Sequence, residues 1–365
     1  MIHAYSYNPN RFTDINSQDV HRWLSLYSII NYNVTFIDRT NTVQIPIRTK
    51  VPVQLQMPLY DSSFRLSYEE CCQARVRNIL EKQDKFNVPI KLLYSGGIDS
   101  SLILVSFIKE IGLAETEKRV SLVMSTDGIE ENPWMWERII RRSNFKIINS
   151  ETHDGDWSKD RILVGGEFND QLMGSDIYKD LVRWQGDKIL DTKWTPALII
   201  QYLIPKVGPS YAEMWFYLME KIIKTAPIPI VTIAQWWQWI NFTCKWSSVY
   251  FRLISCARNN SVIDEQYLNN YYFQFYGDTN FKQWSMNDST DKIKGSWHTY
   301  KWKARQLVSD ICGQEYEQKM KRGSLWRLIG FKKSAEVIDE NYNLIPKINS
   351  SDWYKPDNSF KNFAK

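Results

Sequence analysis

The chain has 365 residues, of which 43% are hydrophobic and 24% charged, proportions that exclude a disordered, collagenous or fibrous chain. At the usual domain size of about 100–200 residues it holds one large domain or two modest ones. Lysines and arginines number 46 against 41 acidic residues, a net charge of +5, which is a small excess over so long a chain and a weak argument for a nucleic-acid partner.

Cys71, Cys72, Cys244, Cys256 and Cys312 are too few and too scattered for a disulfide framework. His3, His21, His153 and His298 are the only histidines, so a structural zinc site is not expected. Met1 to Phe12 lacks a charged stretch leading into an apolar core, and no signal peptide is expected. The best membrane candidate, Pro227 to Ile240, is shorter than the roughly 20 apolar residues a span requires and carries Gln235 and Gln238. The expectation is a cytoplasmic protein without membrane contact. Aromatic residues reach 14%, and most of them must serve packing.

Residues 1–66 read as a small β-rich segment. Val34–Ile37, the turn Asp38–Asn41, and the alternating runs Val43–Ile47 and Val51–Met57 suggest strands, confined to sheet edges by Pro46 and Pro52. Ser67-Tyr68-Glu69-Glu70 is a capping box, and the helix it opens should run to about Lys85, with Val76, Ile79 and Leu80 on its apolar stripe. Ile90–Tyr94 is a short apolar strand leading into Ser95-Gly96-Gly97-Ile98-Asp99-Ser100-Ser101, and Leu102–Ile108 reads as a buried helix ending near Gly112. A strand at Arg119–Met124, a turn at Ser125–Gly128, a helix from about Asn132 to Arg142 and strands at Phe145–Ile148 and Arg161–Val164 follow. Strands alternating with helices at this spacing imply βαβ units and a parallel sheet with helices on both faces.

From about residue 176 the pattern is helical, with Ile233, Trp236, Trp237, Ile240, Cys244, Phe251 and Ile254 as a packed stripe. Asn259–Ser296 is polar and aromatic, with several loops expected. Glu336–Ile338 and Leu344–Ile345 suggest a hairpin, followed by a polar tail. The organisation is therefore 1–66, a main domain over 67–330 with its α/β core at about 67–180 and a helical part at about 180–330, and a hairpin and tail over 331–365.

The loop after the first strand carries the chemistry. Gly96 and Gly97 allow a tight bend that turns backbone N–H groups toward an anion, and the following helix points its positive end at the same place. Ser95, Ser100 and Ser101 offer hydroxyl donors to phosphate oxygens. Asp99 would repel bare phosphate and makes sense with a bridging cation, for which Mg²⁺ is suited. Neither the Gly-Lys-Ser/Thr ending of a Walker loop nor the Gly-x-Gly-x-x-Gly dinucleotide fingerprint is present.

Ser-Gly-Gly-x-Asp-Ser after a strand resembles the pyrophosphate loop of the ATP pyrophosphatases, which include asparagine synthetases and several tRNA-modifying enzymes. A second segment narrows the likeness. Gly165-Gly166-Glu167-Phe168-Asn169-Asp170-Gln171-Leu172-Met173-Gly174 resembles the Ser-Gly-Glu-Gly-x-Asp-Glu-Leu-Phe-Gly-Gly segment of asparagine synthetase and β-lactam synthetase, with Glu167 and Asp170 on its acidic positions. Gly165 replaces the usual serine and Gln171 a second acid. Lys301–Leu307 looks like the family's Lys-Tyr-Leu-Leu-Arg-Lys-Ala helix, and Lys321-Arg322-Gly323 like its later pyrophosphate lysine.

The resemblance implies a pyrophosphate-loop core that binds ATP and Mg²⁺. The phosphates would lie on Ser95, Gly96, Gly97, Asp99, Ser100 and Ser101, near Gly165 and Gly166. The adenine would lie near Leu92, Val123, Met124 and Ser125. Asp99 and Asp170 would hold the metal, and Glu167, Lys301 and Lys321 would act in catalysis. The implied reaction activates a small-molecule carboxylate as an adenylate for attack by ammonia or an amine. Ile2 stands where the family's glutaminase carries its cysteine nucleophile, and the segment before residue 67 is too short for such a domain. Nitrogen is therefore expected from free ammonia, a separate glutaminase or the substrate's own amine. Two alternatives are a related enzyme that modifies a nucleobase or tRNA, and a nucleotide-binding protein whose catalysis has decayed.

Overall fold

The computed structural model describes residues 2–4, 37–43, 53–150, 157–174, 177–247, 249–250, 263–288, 292–313, 337–339 and 344–345. Their strands are β1 (Ile2–Ala4), β2 (Ile90–Leu93), β3 (Val120–Met124), β4 (Ile147–Asn149), β5 (Ile162–Gly165), β6 (Tyr272–Gln274), β7 (Val337–Asp339) and β8 (Leu344–Ile345). Strands β2 to β6 form one all-parallel sheet in the order β4-β3-β2-β5-β6. The expected hairpin pairs β7 with β8 through Val337↔Ile345 and Ile338↔Leu344, and β1 joins it as a third antiparallel strand.

The capping box at Ser67 forms in both directions and opens α1 (Tyr68–Phe86), which stops at Asn87 in a left-handed conformation (φ 51°). Val76 and Ile79 are fully buried, as their spacing predicts. Helix α2 (Ile98–Ile111) packs against α1 on one side and against α13 (Trp302–Cys312) on the other. Next come α3 (Leu113–Arg119), α4 (Thr126–Glu131), α5 (Pro133–Arg138) and α6 (Asn169–Met173). The expected turn at Ser125–Gly128 is the first turn of α4, and the expected helix 132–142 is α5 followed by a 3-10 turn at Ile140–Arg142.

The helical part comprises α7 (Ile177–Gln185), α8 (Pro196–Val207), α9 (Pro209–Ile223), α10 (Ile233–Ile240), α11 (Glu265–Asn270) and α12 (Thr279–Asn287). Trp215, Trp236, Trp237 and Trp246 are among its fully buried side chains, so these aromatics serve packing. Helix α10 runs into a π-helical turn at Asn241–Lys245. Phe251 and Ile254 of the predicted stripe lie outside the described residues.

Two expectations need correction. The strand expected over Val51–Met57 is not there: Val53–Leu55 is a 3-10 turn, although Ile2–Ala4 in the same N-terminal segment is a strand. Leu55 is buried there, and the Arg39 guanidinium donates to the Leu55 carbonyl at 2.6 Å and to that of Gln56 at 3.5 Å, so side-chain donors reach acceptors that a strand would turn to its neighbour. Residues 34–36 and 44–52 lie outside the described residues. The second concerns β6, an edge strand of the parallel sheet that falls in the segment where several loops, and no strand, were expected.

The helical part also buries cations. Burial, reinforced by the Arg39 guanidinium, pushes the Lys282 ammonium down to about 7, while Asp278 acts in the opposite direction. Burial likewise lowers Lys292 to about 7. Their amines donate to the carbonyls of Gln54 and Ser285, at 3.3 and 2.6 Å. Between pH 7 and the unfolded value near 10.5 the unfolded chain holds a proton that the folded chain has released, so stability rises with pH across that window. The slope is at most ~1.4 kcal/mol per pH unit for each lysine. Lys282→Met and Lys292→Met should therefore stabilise the fold most at pH 6–7 and progressively less toward pH 10. Denaturation midpoints at several pH values check this, and a pH-independent gain would contradict it.

Candidate functional site

In the sheet, β3 and β4 lie to one side of β2, and β5 and β6 to the other. The connections leaving β2 and β5 therefore diverge, and the carboxyl ends of these neighbouring strands frame a switch-point crevice, where open α/β sheets place ligands. Both sequence motifs stand at its mouth.

On the β2 side, Gly96 has φ 71°, and a Cβ there would stand 2.2 Å from the Gly128 carbonyl oxygen. The loop bends only because residue 96 has no side chain. Ser95 Oγ accepts from the Gly97 N–H at 3.2 Å and lies 3.0 Å from Ser100 Oγ, which donates to the Gly97 carbonyl at 3.1 Å. Ser101 departs from expectation. It is fully buried, and its hydroxyl contacts Gly96 O, Tyr94 Oη and Asn132 Nδ2 at 3.0–3.3 Å, so it braces the loop from inside rather than facing a ligand. Gly97 caps α2, and Asp99 lies in the first turn.

On the β5 side, a Cβ at Gly166 would stand 3.3 Å from the Ser100 nitrogen and 3.5 Å from Asp99 Cβ, so the two loops touch. The half-buried Glu167 donates its N–H to Gln274 Oε1 at 3.3 Å, and that same oxygen would be 3.1 Å from a Cβ on Gly165. Gln171 is buried at the start of α6.

The carboxylates of Asp99 and Asp170 converge on Lys301. Its Nζ lies 2.7 Å from Asp99 Oδ1, 2.8 Å from Asp99 Oδ2 and 2.7 Å from Asp170 Oδ1. The lysine side chain is only 5% exposed, against 25% and 37% for the acids. Burial alone would lower its pKa, but the charges of Asp170 and Asp99 outweigh that, and it lies above the ordinary lysine value.

A ring of polar groups fixes the acids. Asn169 Nδ2 donates to Asp99 Oδ1 at 2.7 Å, Tyr68 Oη donates to Asn169 Oδ1 at 2.7 Å, Tyr276 Oη to the Asp99 carbonyl at 2.8 Å, and Tyr300 Oη to Asp170 Oδ1 at 2.9 Å. Burial, with nearby negative charge, holds Tyr68 and Tyr276 well above the usual phenol value, so both act as donors.

Sequence reasoning missed this ring. Asn169 and Tyr300 were within reach, one inside the second motif and the other just before Lys301. Gln274 and Tyr276 come with the unexpected β6. Phe168 is a third departure from the segment it resembles, standing where that pattern has glycine. It holds φ 77°, a strained conformation for an aromatic residue. Its ring stacks on Trp246 at 4.3 Å with an interplanar angle of 6°.

The remaining expected residues are distributed unevenly. Val123 and Met124 are 3% exposed at the end of β3, and Leu92 is fully enclosed within β2. Ser125 is buried at the cap of α4, and its hydroxyl has no partner among the described residues. Lys321 lies outside the described residues. The amino edge of the sheet opens on a depression of about 430 Å³ lined by Gln83, Asp84, Asn87, Val88, Pro89 and Arg119. Its arginine is already paired with Asp84 and Glu115, at 2.7 and 2.9 Å.

Comparison with known proteins returns no matching family model, no matching curated protein and no matching solved structure. The described residues contain no helix long and apolar enough to cross a membrane, and no cluster of three or more His, Cys, Asp or Glu side chains suited to a metal ion.

Proposed function

We propose that this chain is an ATP-dependent ligase of the asparagine synthetase type, built on a pyrophosphate-loop core. It would form AMP and pyrophosphate while joining a small-molecule carboxylate to ammonia or an amine. The observation that carries this reading is the meeting of the two loops at the switch point, with Asp99 and Asp170 converging on one cation position.

The side-chain-free bend at Gly96 and Gly97 and the amino end of α2 suit a polyphosphate. Asp99 and Asp170 would hold Mg²⁺: two carboxylates that already share one point cation are donors a hard ion accepts, with phosphate oxygens completing its shell. When bound, the ion neutralises charge on the departing pyrophosphate. The protein's own part is placement. Loop amides orient the phosphates for in-line attack by the acceptor carboxylate, and Glu167 orients or deprotonates the amine that displaces AMP.

A specific observation favours a second reading, nucleotide binding without turnover: the acid pair is neutralised from within by Lys301. Exchange of radiolabelled pyrophosphate into ATP, measured over a panel of small carboxylates, separates the two. The ligase reading expects exchange that requires both an acceptor and Mg²⁺. Binding of ATP without exchange or AMP formation on any acceptor selects the second reading, and failure to bind ATP removes both.

A further inference from the structure

Lys301 does more than neighbour the acids; its ammonium occupies the point between them. Mg²⁺ bridging two carboxylates sits at about 2.0–2.1 Å from each oxygen, whereas the lysine nitrogen lies 2.7 Å from Oδ1 of both Asp99 and Asp170. Both positions fall within the same gap, so ion and ammonium exclude each other. The lysine is also held under tension. Its backbone is left-handed, with φ 60°, at the cap of α13, and its N–H rests on the Lys292 carbonyl at 3.3 Å. A lysine ammonium on its flexible four-carbon stem can leave the acids if another anion receives it.

We propose that Lys301 is a latch: in the free chain it closes the Asp99–Asp170 pair to divalent cations, and the pair opens when a nucleotide phosphate takes over the ammonium. The nucleotide half of this proposal rests on the ligase reading; the closure itself does not. Metal binding is thereby ordered, entering with the nucleotide rather than ahead of it.

Electron paramagnetic resonance of Mn²⁺ titrated into the full chain tests this with no reference to turnover. The wild type should leave Mn²⁺ free in the absence of nucleotide and retain it once α,β-methylene-ATP is added. Lys301→Asn removes the charge with a residue that tolerates the left-handed backbone, and it should bind Mn²⁺ alone about tenfold more tightly than the wild type or better. Lys301→Arg, which keeps the cation, should stay closed. Tight binding of Mn²⁺ alone by the wild type, abolished by Asp170→Asn, overturns the latch and leaves the ligase reading intact. A Lys301→Asn chain that is folded by circular dichroism yet gains no Mn²⁺ affinity also overturns it. Capture of Mn²⁺ by Lys301→Asn, with no response to nucleotide in either protein, supports the closure by Lys301 but overturns its opening by nucleotide, and removes the ligase reading.

Discussion

Asp99→Ala and Asp170→Ala are each expected to lower ATP–pyrophosphate exchange by roughly 10²–10³-fold or more, the scale on which a preorganised charge acts at a reacting phosphate. Neither change should unfold the protein. In either single variant Lys301 keeps one carboxylate, at 2.7 Å from Asp170 or 2.7–2.8 Å from Asp99. The double variant is different, because it leaves a buried ammonium with neither partner. Breaking a buried pair in this way costs about 3–5 kcal/mol, so the double variant should lose far more stability than the two single losses added together. Exchange assays and denaturation midpoints on the three variants read both effects. Exchange surviving in either single variant would remove the metal assignment.

Gly96→Ala should be the most damaging single methyl group in the loop. A left-handed backbone costs an L-residue about 1–2 kcal/mol, and the added Cβ would also meet the Gly128 carbonyl oxygen at 2.2 Å, against backbone that cannot rotate aside. Gly112 supplies the control. Its φ of 78° is paired with ψ 160°, a region essentially reserved for glycine, but nothing lies within 4 Å of its would-be Cβ. Gly112→Ala should therefore lose only the backbone term, about 1–3 kcal/mol, with no effect on the loop after β2. Gly96→Ala should lose roughly 1–3 kcal/mol beyond that through overpacking and bind no fluorescent ATP analogue. Equal stability and equal binding in the two variants would show that the loop does not lean on α4.

These positions also show what a sequence can and cannot disclose. The loop after β2 was legible because strand, paired glycines, acid and helix follow one another within a dozen residues, and each has a local physical cause. The capping box at Ser67 was legible for the same reason. Strand β6 was not. Tyr272–Gln274 has only three residues, all buried, so it lacks the alternation that marks a half-exposed strand. Its place is set by pairing with Leu163, Val164 and Gly165, far away in the chain. The Val53–Leu55 turn misled because its alternation looked like a strand, while the deciding donor, Arg39, acts from outside the segment. Lys301 could be singled out by resemblance, but its seat between two acids from separate strand ends is a product of tertiary folding.

Phe168 gives the acidic turn an unusual governor. Its ring lies flat on Trp246, and the guanidinium of Arg39 lies 4.4 Å over that indole. An aromatic residue kept in a backbone shape that glycine would adopt freely behaves like a cocked spring, and the stack is its catch. The stack is thus where the helical half bears on the turn that carries Glu167 and Asp170. A substitution at Trp246 would reach that turn without changing any of its charges.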